Sequence, residues 1–144
     1  MSNIGSYDER IKDFSWEIAE RELGYKPGDV INIGWYCTDR VCELGKADRP
    51  ALIWEGHTGA EKIFTYNDIR LTTNTIGAFL RGLGLQAGDR VCLFLDRVPE
   101  LYLGFLGILK IGAIAQPLFS AFGDEALFVR LSNAETSAIV FSLV

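Results

Sequence analysis

The sequence predicts an α/β fold in which helices flank a mostly parallel sheet, with a small hairpin near residues 51–65. From residue 90 onward, short apolar stretches alternate with stretches of helical periodicity, in the order strand, helix, strand, helix, strand. The strand stretches are continuously apolar, which is typical of strands buried on both faces of a parallel sheet; they lie at 90–95, 114–118 and 137–143.

The first part of the chain predicts helices. Residues 11–23 carry apolar side chains at helical spacing, which predicts one helix, and Pro27 with Gly28 predicts a loop after it. Residues 32–44 place five apolar side chains on one face and predict a second helix. We therefore expect an N-terminal helical segment over 1–48 and the start of an α/β subdomain over 49–144.

The middle of the chain predicts a hairpin and then a long helix. The apolar run at 51–54 and its return at 62–65 flank a turn, which is typical of two paired strands. Thr65 followed by Asp68 predicts a helix start with a capping hydroxyl and a carboxylate near the positive end of the dipole. Gly84 predicts the end of that helix.

Two further helices follow from local signals. Pro99-Glu100 predicts a helix start, because proline fits the first turn and glutamate complements the helix dipole. A short helix is predicted over 124–131 between the second and third apolar strands.

The apolar stretch 101–119 could be read as a membrane span, but its residues favour a buried helix, a turn and a strand. Lys110 lies at its middle, where a charge costs about 2.5–3.5 kcal/mol in a membrane helix. Gly112 and Pro117 divide the run further. The sequence predicts no membrane association.

Composition excludes several function classes. The net charge of −5 offers no basic surface for nucleic acid or anionic lipid. The three cysteines, Cys37, Cys42 and Cys92, form no CxxC pair, so we expect reduced thiols in a cytoplasmic protein. The only histidine, His57, excludes a histidine-rich metal site, and no metal site is expected.

Two glycine-containing stretches look like phosphate loops but fail on spacing or context. The glycines at 82–88 follow a helix and precede a strand, which is the reverse of a dinucleotide loop, and 56–62 lacks the second glycine of GxxxxGK. Arg97 and Arg130 are interpreted as surface ion-pair partners. The residues taken alone therefore predict no catalytic site.

Three stretches of the second half nevertheless match a known pattern: RVCLFL at 90–95, RVPELY at 97–102 and KIGAIAQPLFSAF at 110–122. In these stretches the sequence resembles the AMP-forming acetyl-CoA synthetases of the adenylate-forming superfamily. The pattern extends upstream through Ile31-Asn32-Ile33 with Asp39-Arg40, Phe64-Thr65-Tyr66, and Leu83-Gly84 followed by Gly88-Asp89-Arg90-Val91.

The resemblance implies a two-step ligase that uses ATP, Mg²⁺ and CoA. A carboxylate, acetate being favoured, would form an acyl-adenylate, and the CoA thiol would then displace AMP. The family's Ser/Thr/Gly-rich phosphate loop ending in Pro-Lys-Gly has no counterpart in this sequence. We therefore expect an N-terminal fragment that is inactive alone and has the remainder of a synthetase chain as its partner, and ATP, Mg²⁺ and CoA are assigned to the whole enzyme.

The resemblance also implies one candidate site. The turn Ser120, Ala121 and Phe122 corresponds to a turn near the CoA path in the family, with Ala121 where many relatives have glycine. No catalytic residue is implied, and an ordinary strand-to-helix turn remains the alternative interpretation.

Two other functions stay open at this point. The chain could be a free-standing α/β module that binds CoA or a nucleotide without catalysis. It could also be an interaction module, because it stops at Val144 directly after an apolar strand that could self-associate through its exposed edge.

Overall fold

The structure is a computed structural model that describes residues 6–142. The chain divides into two compact units between Ile31 and Asn32, and each is described by itself.

The first unit contains two short helices, α1 (Tyr7–Asp13) and α2 (Trp16–Leu23). The prediction of a single helix over 11–23 is wrong because Phe14 is extended and Ser15 caps a new helix, its hydroxyl accepting from the backbone N–H of Ile18. Gly24, in the left-handed region at φ 71°, ends α2, and the predicted loop follows.

The second unit begins with three short helical segments: α3 (Ile33–Tyr36), α4 (Asp39–Val41) and a π-helical turn (Cys42–Lys46). The single helix predicted over 32–44 is therefore wrong. Thr38 interrupts it with non-helical backbone angles (φ −128°, ψ −77°), and its hydroxyl donates to the Gly34 carbonyl at 2.6 Å. Such a side-chain bond to the backbone offers an alternative to continued helix.

The predicted hairpin is confirmed. Strands β1 (Pro50–Glu55) and β2 (Glu61–Thr65) pair antiparallel, with Ile53 opposite Ile63. The long helix α5 (Tyr66–Gly82) then begins with a complete capping box between Thr65 and Asp68.

The predicted alternation of strands and helices after residue 90 is also confirmed. Its elements are β3 (Arg90–Phe94), α6 (Pro99–Lys110), β4 (Ile114–Pro117), α7 (Asp124–Asn133) and β5 (Ala138–Phe141). The three strands form a parallel sheet in the order β4-β3-β5, so the α/β prediction holds. Within residues 6–142, no helix has both the length and the apolarity needed to cross a membrane.

The core lies on one face of this sheet. Val91 and Leu93 of β3 are fully buried against α5 and α6, which contribute Leu80 and Ile108. Glycines allow close approach here: a Cβ on Gly107 would lie 2.7 Å from an Ile76 side-chain atom. The sheet and these two helices thus form the stable centre of the unit.

The other face of the sheet carries α7. The Gln116 amide donates to the Arg130 carbonyl at 3.3 Å, and the Arg90 guanidinium donates to the Ala134 carbonyl at 2.8 Å. The cover is partial, because Ile139 and Phe141 of β5 remain exposed on this side, Phe141 to 58%.

Candidate functional site

The candidate turn lies between β4 and α7, at the carboxyl end of the parallel strands. The Leu118 N–H donates to the Leu93 carbonyl at 3.0 Å, so the chain stays paired with β3 until just before the turn. Ser120 and Phe122 are half-buried and Ala121 is exposed. Ligands of open α/β sheets bind outside this edge, and the turn lies there.

An aromatic contact and a cation–π contact fix the shape of the turn. The Phe119 and Phe122 rings meet edge to face at 5.8 Å, and the Phe122 N–H donates to the Phe119 carbonyl at 3.0 Å. The Arg130 guanidinium lies 4.1 Å from the centre of the Phe122 ring. Sequence reasoning interpreted Arg130 as an ion-pair partner, and the structure instead places it on this ring.

Acidic residues follow the turn directly. Asp124 and Glu125 occupy the first turn of α7, where their charges already complement the helix dipole.

The loop after β3 lies on the same edge of the sheet. The Trp54 indole N–H of the hairpin donates to the Arg97 carbonyl at 2.7 Å, and this bond connects the hairpin to the loop. Val98 then precedes α6, which begins at Pro99 as predicted. The hairpin therefore helps to fix one of the loops that flank the candidate turn.

A polar cluster lies away from this edge and was missed by the sequence analysis. The Lys110 ammonium, on a side chain only 9% exposed, donates to Asp39 at 2.5 Å and to the Asn74 amide oxygen at 2.7 Å. Asn32 donates from its side chain to the Lys110 carbonyl at 3.0 Å. The cluster joins α3 and α4 to α5 and α6. A lysine near the end of a largely apolar helix was the only available signal.

The charge of Asp39 is stabilised in this cluster. Burial raises the pKa of this carboxyl, but the hydrogen bonds from Lys110, Thr38 and Asn74 and the charge of Lys110 together lower the pKa below its ordinary value. The resulting ion pair is a structural contact, because Lys110 is enclosed by protein atoms.

Possible metal ligands and free thiols are scattered over the part of the chain that the structure describes. Residues 6–142 contain no group of three or more His, Cys, Asp or Glu side chains that could hold a metal ion. All three cysteines are free thiols, and burial raises the pKa of the Cys92 thiol.

Comparison with known proteins decides the family. The model of the family described as "AMP-binding enzyme" matches residues 39–143. The chain belongs to the AMP-binding enzyme family. Among curated members, the acetyl-coenzyme A synthetase of Bacillus subtilis is 36% identical over 139 residues, which are 96% of this chain and 24% of the relative. That of Streptomyces coelicolor is 31% identical over 132 residues, which are 92% of this chain and 20% of the relative.

Two solved structures agree with the fold. A crystal structure of an acyl-CoA synthetase from Brucella canis matches with a TM-score of 0.81 and 34% identity, over 95% of this chain and 25% of that one. The N-terminal subdomain of NpsA from Klebsiella oxytoca, in complex with 3-hydroxyanthranilyl-AMSN, matches with a TM-score of 0.69 and 26% identity, over 80% and 28%. The resemblance to acetyl-CoA synthetases is thus confirmed. The chain spans about a quarter or less of the length of its curated relatives.

Proposed function

We propose that this chain is the N-terminal portion of an AMP-forming acetyl-CoA or short-chain acyl-CoA synthetase. The whole enzyme would activate a carboxylate, preferably acetate, with ATP to an acyl-adenylate and pyrophosphate, and then transfer the acyl group to the CoA thiol. The observation that carries the proposal is similarity to acetyl-coenzyme A synthetases along nearly the entire chain.

The described residues supply scaffold and one ligand contact rather than the chemistry. They contain no phosphate loop. The whole enzyme would bind ATP, Mg²⁺ and CoA, largely through the remainder of the synthetase chain. We propose that residues 1–144 alone are inactive.

CoA is the ligand that we assign to the turn. The turn lies at the carboxyl edge of the sheet, Ala121 is small and exposed, and the Phe122 ring is held in place. These features support contact of Ser120, Ala121 and Phe122 with the uncharged arm of CoA. The free thiols and the acidic net charge support a cytoplasmic enzyme that binds neither nucleic acid nor membrane. We place the start of the α/β subdomain at residue 49.

Acetate-dependent exchange of pyrophosphate into ATP tests the function. We expect no exchange from the 144-residue chain and clear exchange from the synthetase chain encoded by the full reading frame. A reading frame that ends at the codon for Val144, or exchange by the short chain itself, would refute the proposal. In the first case, titration of the short chain with CoA and with ATP would test the alternative of a binding module, and light scattering would test self-association.

A bulky side chain at the turn tests the CoA contact. In the full-length enzyme, Ala121→Leu should raise the KM for CoA and leave the KM for ATP unchanged, because the added atoms occupy the surface assigned to the CoA arm. Ala60→Leu is the matched control, since Ala60 is an exposed alanine in the hairpin turn. An unchanged KM for CoA in Ala121→Leu would remove the site assignment but not the ligase function.

A further inference from the structure

The β4–α7 connection depends on one arginine. We infer that Arg130 is a positioning residue for CoA, which acts through Phe122 by holding the ring and backbone of the turn in place. The inference rests on the proposed function, because it concerns the turn assigned to CoA, and it adds a residue to which the family resemblance gave no role.

Arg130 has a defined geometry although it lies on the surface. One terminal nitrogen of its guanidinium donates to the Ala126 carbonyl at 2.9 Å, one turn earlier in α7. This bond holds the planar group, whose carbon lies 4.1 Å from the centre of the Phe122 ring. A planar cation at this distance is attracted to the face of an aromatic ring.

The Phe122 ring is therefore held from two sides. Arg130 lies over the ring and Phe119 contacts it edge to face. The side chains of Phe119, Phe122 and Arg130 thus form one stack that runs from just after β4 to the last turn of α7.

The rest of α7 contributes little packing that could hold the turn. None of the residues of α7 is buried, and its N-cap residue, Gly123, offers no side chain to cap the helix. The backbone of Arg130 provides a second tie, because its carbonyl accepts from the Gln116 amide of β4 at 3.3 Å. Residue 130 consequently connects strand, turn and helix through both its side chain and its backbone.

Loss of the stack should affect the turn more than the fold. The core lies on the opposite face of the sheet, so removing an exposed cation–π contact leaves it intact. The turn would then sample conformations that bind CoA less well, and a contact of this strength corresponds to about two- to fivefold in affinity.

Two substitutions distinguish a stacked arginine from a simple positive charge. Arg130→Met removes the charge and keeps an apolar stem, whereas Arg130→Lys keeps the charge and loses the planar group. In the full-length synthetase, both variants should raise the KM for CoA about two- to fivefold, with kcat and the KM values for ATP and acetate unchanged. Arg81→Met, at an exposed arginine in the last turn of α5, is the matched control.

A double-variant cycle tests whether Arg130 acts through Phe122. In a Phe122→Leu background, Arg130→Met should cause no further increase in the KM for CoA. Independent increases that multiply would contradict the inference. Normal binding by Arg130→Lys, together with a defect of Arg130→Met that disappears when dephospho-CoA replaces CoA, would show a direct phosphate contact instead.

Failure of the inference can be separated from failure of the proposed function. Wild-type enzyme without acetate-dependent activity would overturn the function, and this inference with it. Active enzyme whose Arg130 variants retain the wild-type KM for CoA would overturn the inference alone. NMR of the 144-residue chain gives a test that does not depend on enzyme activity. The chemical shifts of the Arg130 side-chain protons should change when Phe122→Leu removes the ring, and unchanged chemical shifts would contradict the stack.

Discussion

Replacing Lys110 by methionine should destabilise this chain more than replacing any exposed lysine. The substitution keeps the length of the side chain but removes the ammonium group that donates to Asp39, Asn74 and the Arg70 carbonyl. Breaking a buried ion pair costs about 3–5 kcal/mol. The Asp39 side chain is 20% exposed and keeps the Thr38 hydroxyl bond, so water and Thr38 offset part of that cost. We expect a loss of about 2–3 kcal/mol.

Urea unfolding followed by circular dichroism measures this loss. For a slope of about 1–3 kcal/mol per M, the expected loss moves the midpoint down by about 1 M or more. Lys46→Met, at an exposed lysine, should leave the midpoint unchanged. A loss below about 0.5 kcal/mol for Lys110→Met would refute the conclusion that the cluster stabilises the fold.

The contribution of Asp39 should depend on pH. Its folded-state pKa lies below its ordinary value, so the stabilisation is fully present above the unfolded-state pKa, about 3.9, and is lost as pH falls through the folded-state pKa. The gap in stability between wild type and Asp39→Asn should therefore be wide at pH 7 and narrow below about pH 4. An equal gap at pH 7 and pH 3 would show that the pair does not titrate as described.

Three further substitutions test the scaffold by urea unfolding. Gly34→Ala places a Cβ 2.7 Å from a carbonyl oxygen of α6 and should lower the free energy of unfolding by about 1–3 kcal/mol. Gly82→Ala, with open space around it, should leave that free energy unchanged. Equal effects of the two substitutions would refute the close approach. Thr65→Ala removes the capping hydroxyl of α5 and should cost about 0.5–2 kcal/mol, and an unchanged midpoint would show that the cap is dispensable. Trp54→Phe removes the indole bond to the Arg97 carbonyl and should cost about 0.5–1.5 kcal/mol, with faster hydrogen exchange in the loop after β3; unchanged exchange there would contradict the role of the hairpin.

Most of the second unit was predictable because its signals are local. Continuously apolar strands identified the parallel sheet, and Thr65 with Asp68 identified the start of α5 to the residue. Pro99 did the same for α6. Each of these signals depends on residues close together in sequence, so no knowledge of the tertiary structure was needed.

The errors occurred where distant contacts or single side chains decide the backbone. Residues 32–44 have helical periodicity, but Thr38 bonds to Gly34 and Asn32 bonds to the Lys110 carbonyl, which lies 78 positions away. These bonds favour short segments over one helix. The Lys110 cluster could not be predicted for the same reason, because its members come from four different elements.

The candidate site shows the same division. Family resemblance identified Ser120, Ala121 and Phe122. The contact between Phe122 and Arg130, however, joins the β4–α7 connection to a residue in the last turn of the helix α7. No periodicity rule pairs residues at that spacing. The residue that holds the turn therefore became visible only in the structure.

Stability and ligand binding should consequently depend on different faces of the sheet. Val91 and Leu93 pack with α5 and α6 on one face, while α7 and the candidate turn depend on a few polar and aromatic contacts at the other face and at the carboxyl edge. Substitutions in the first group change how much protein is folded, and substitutions in the second change how the folded protein binds CoA. Because the two sets of contacts share few residues, their effects should add when combined. The double variant Lys110→Met, Arg130→Met should therefore show the stability loss of Lys110→Met and the change in the KM for CoA of Arg130→Met. A larger combined effect on either quantity would show that the two faces are coupled.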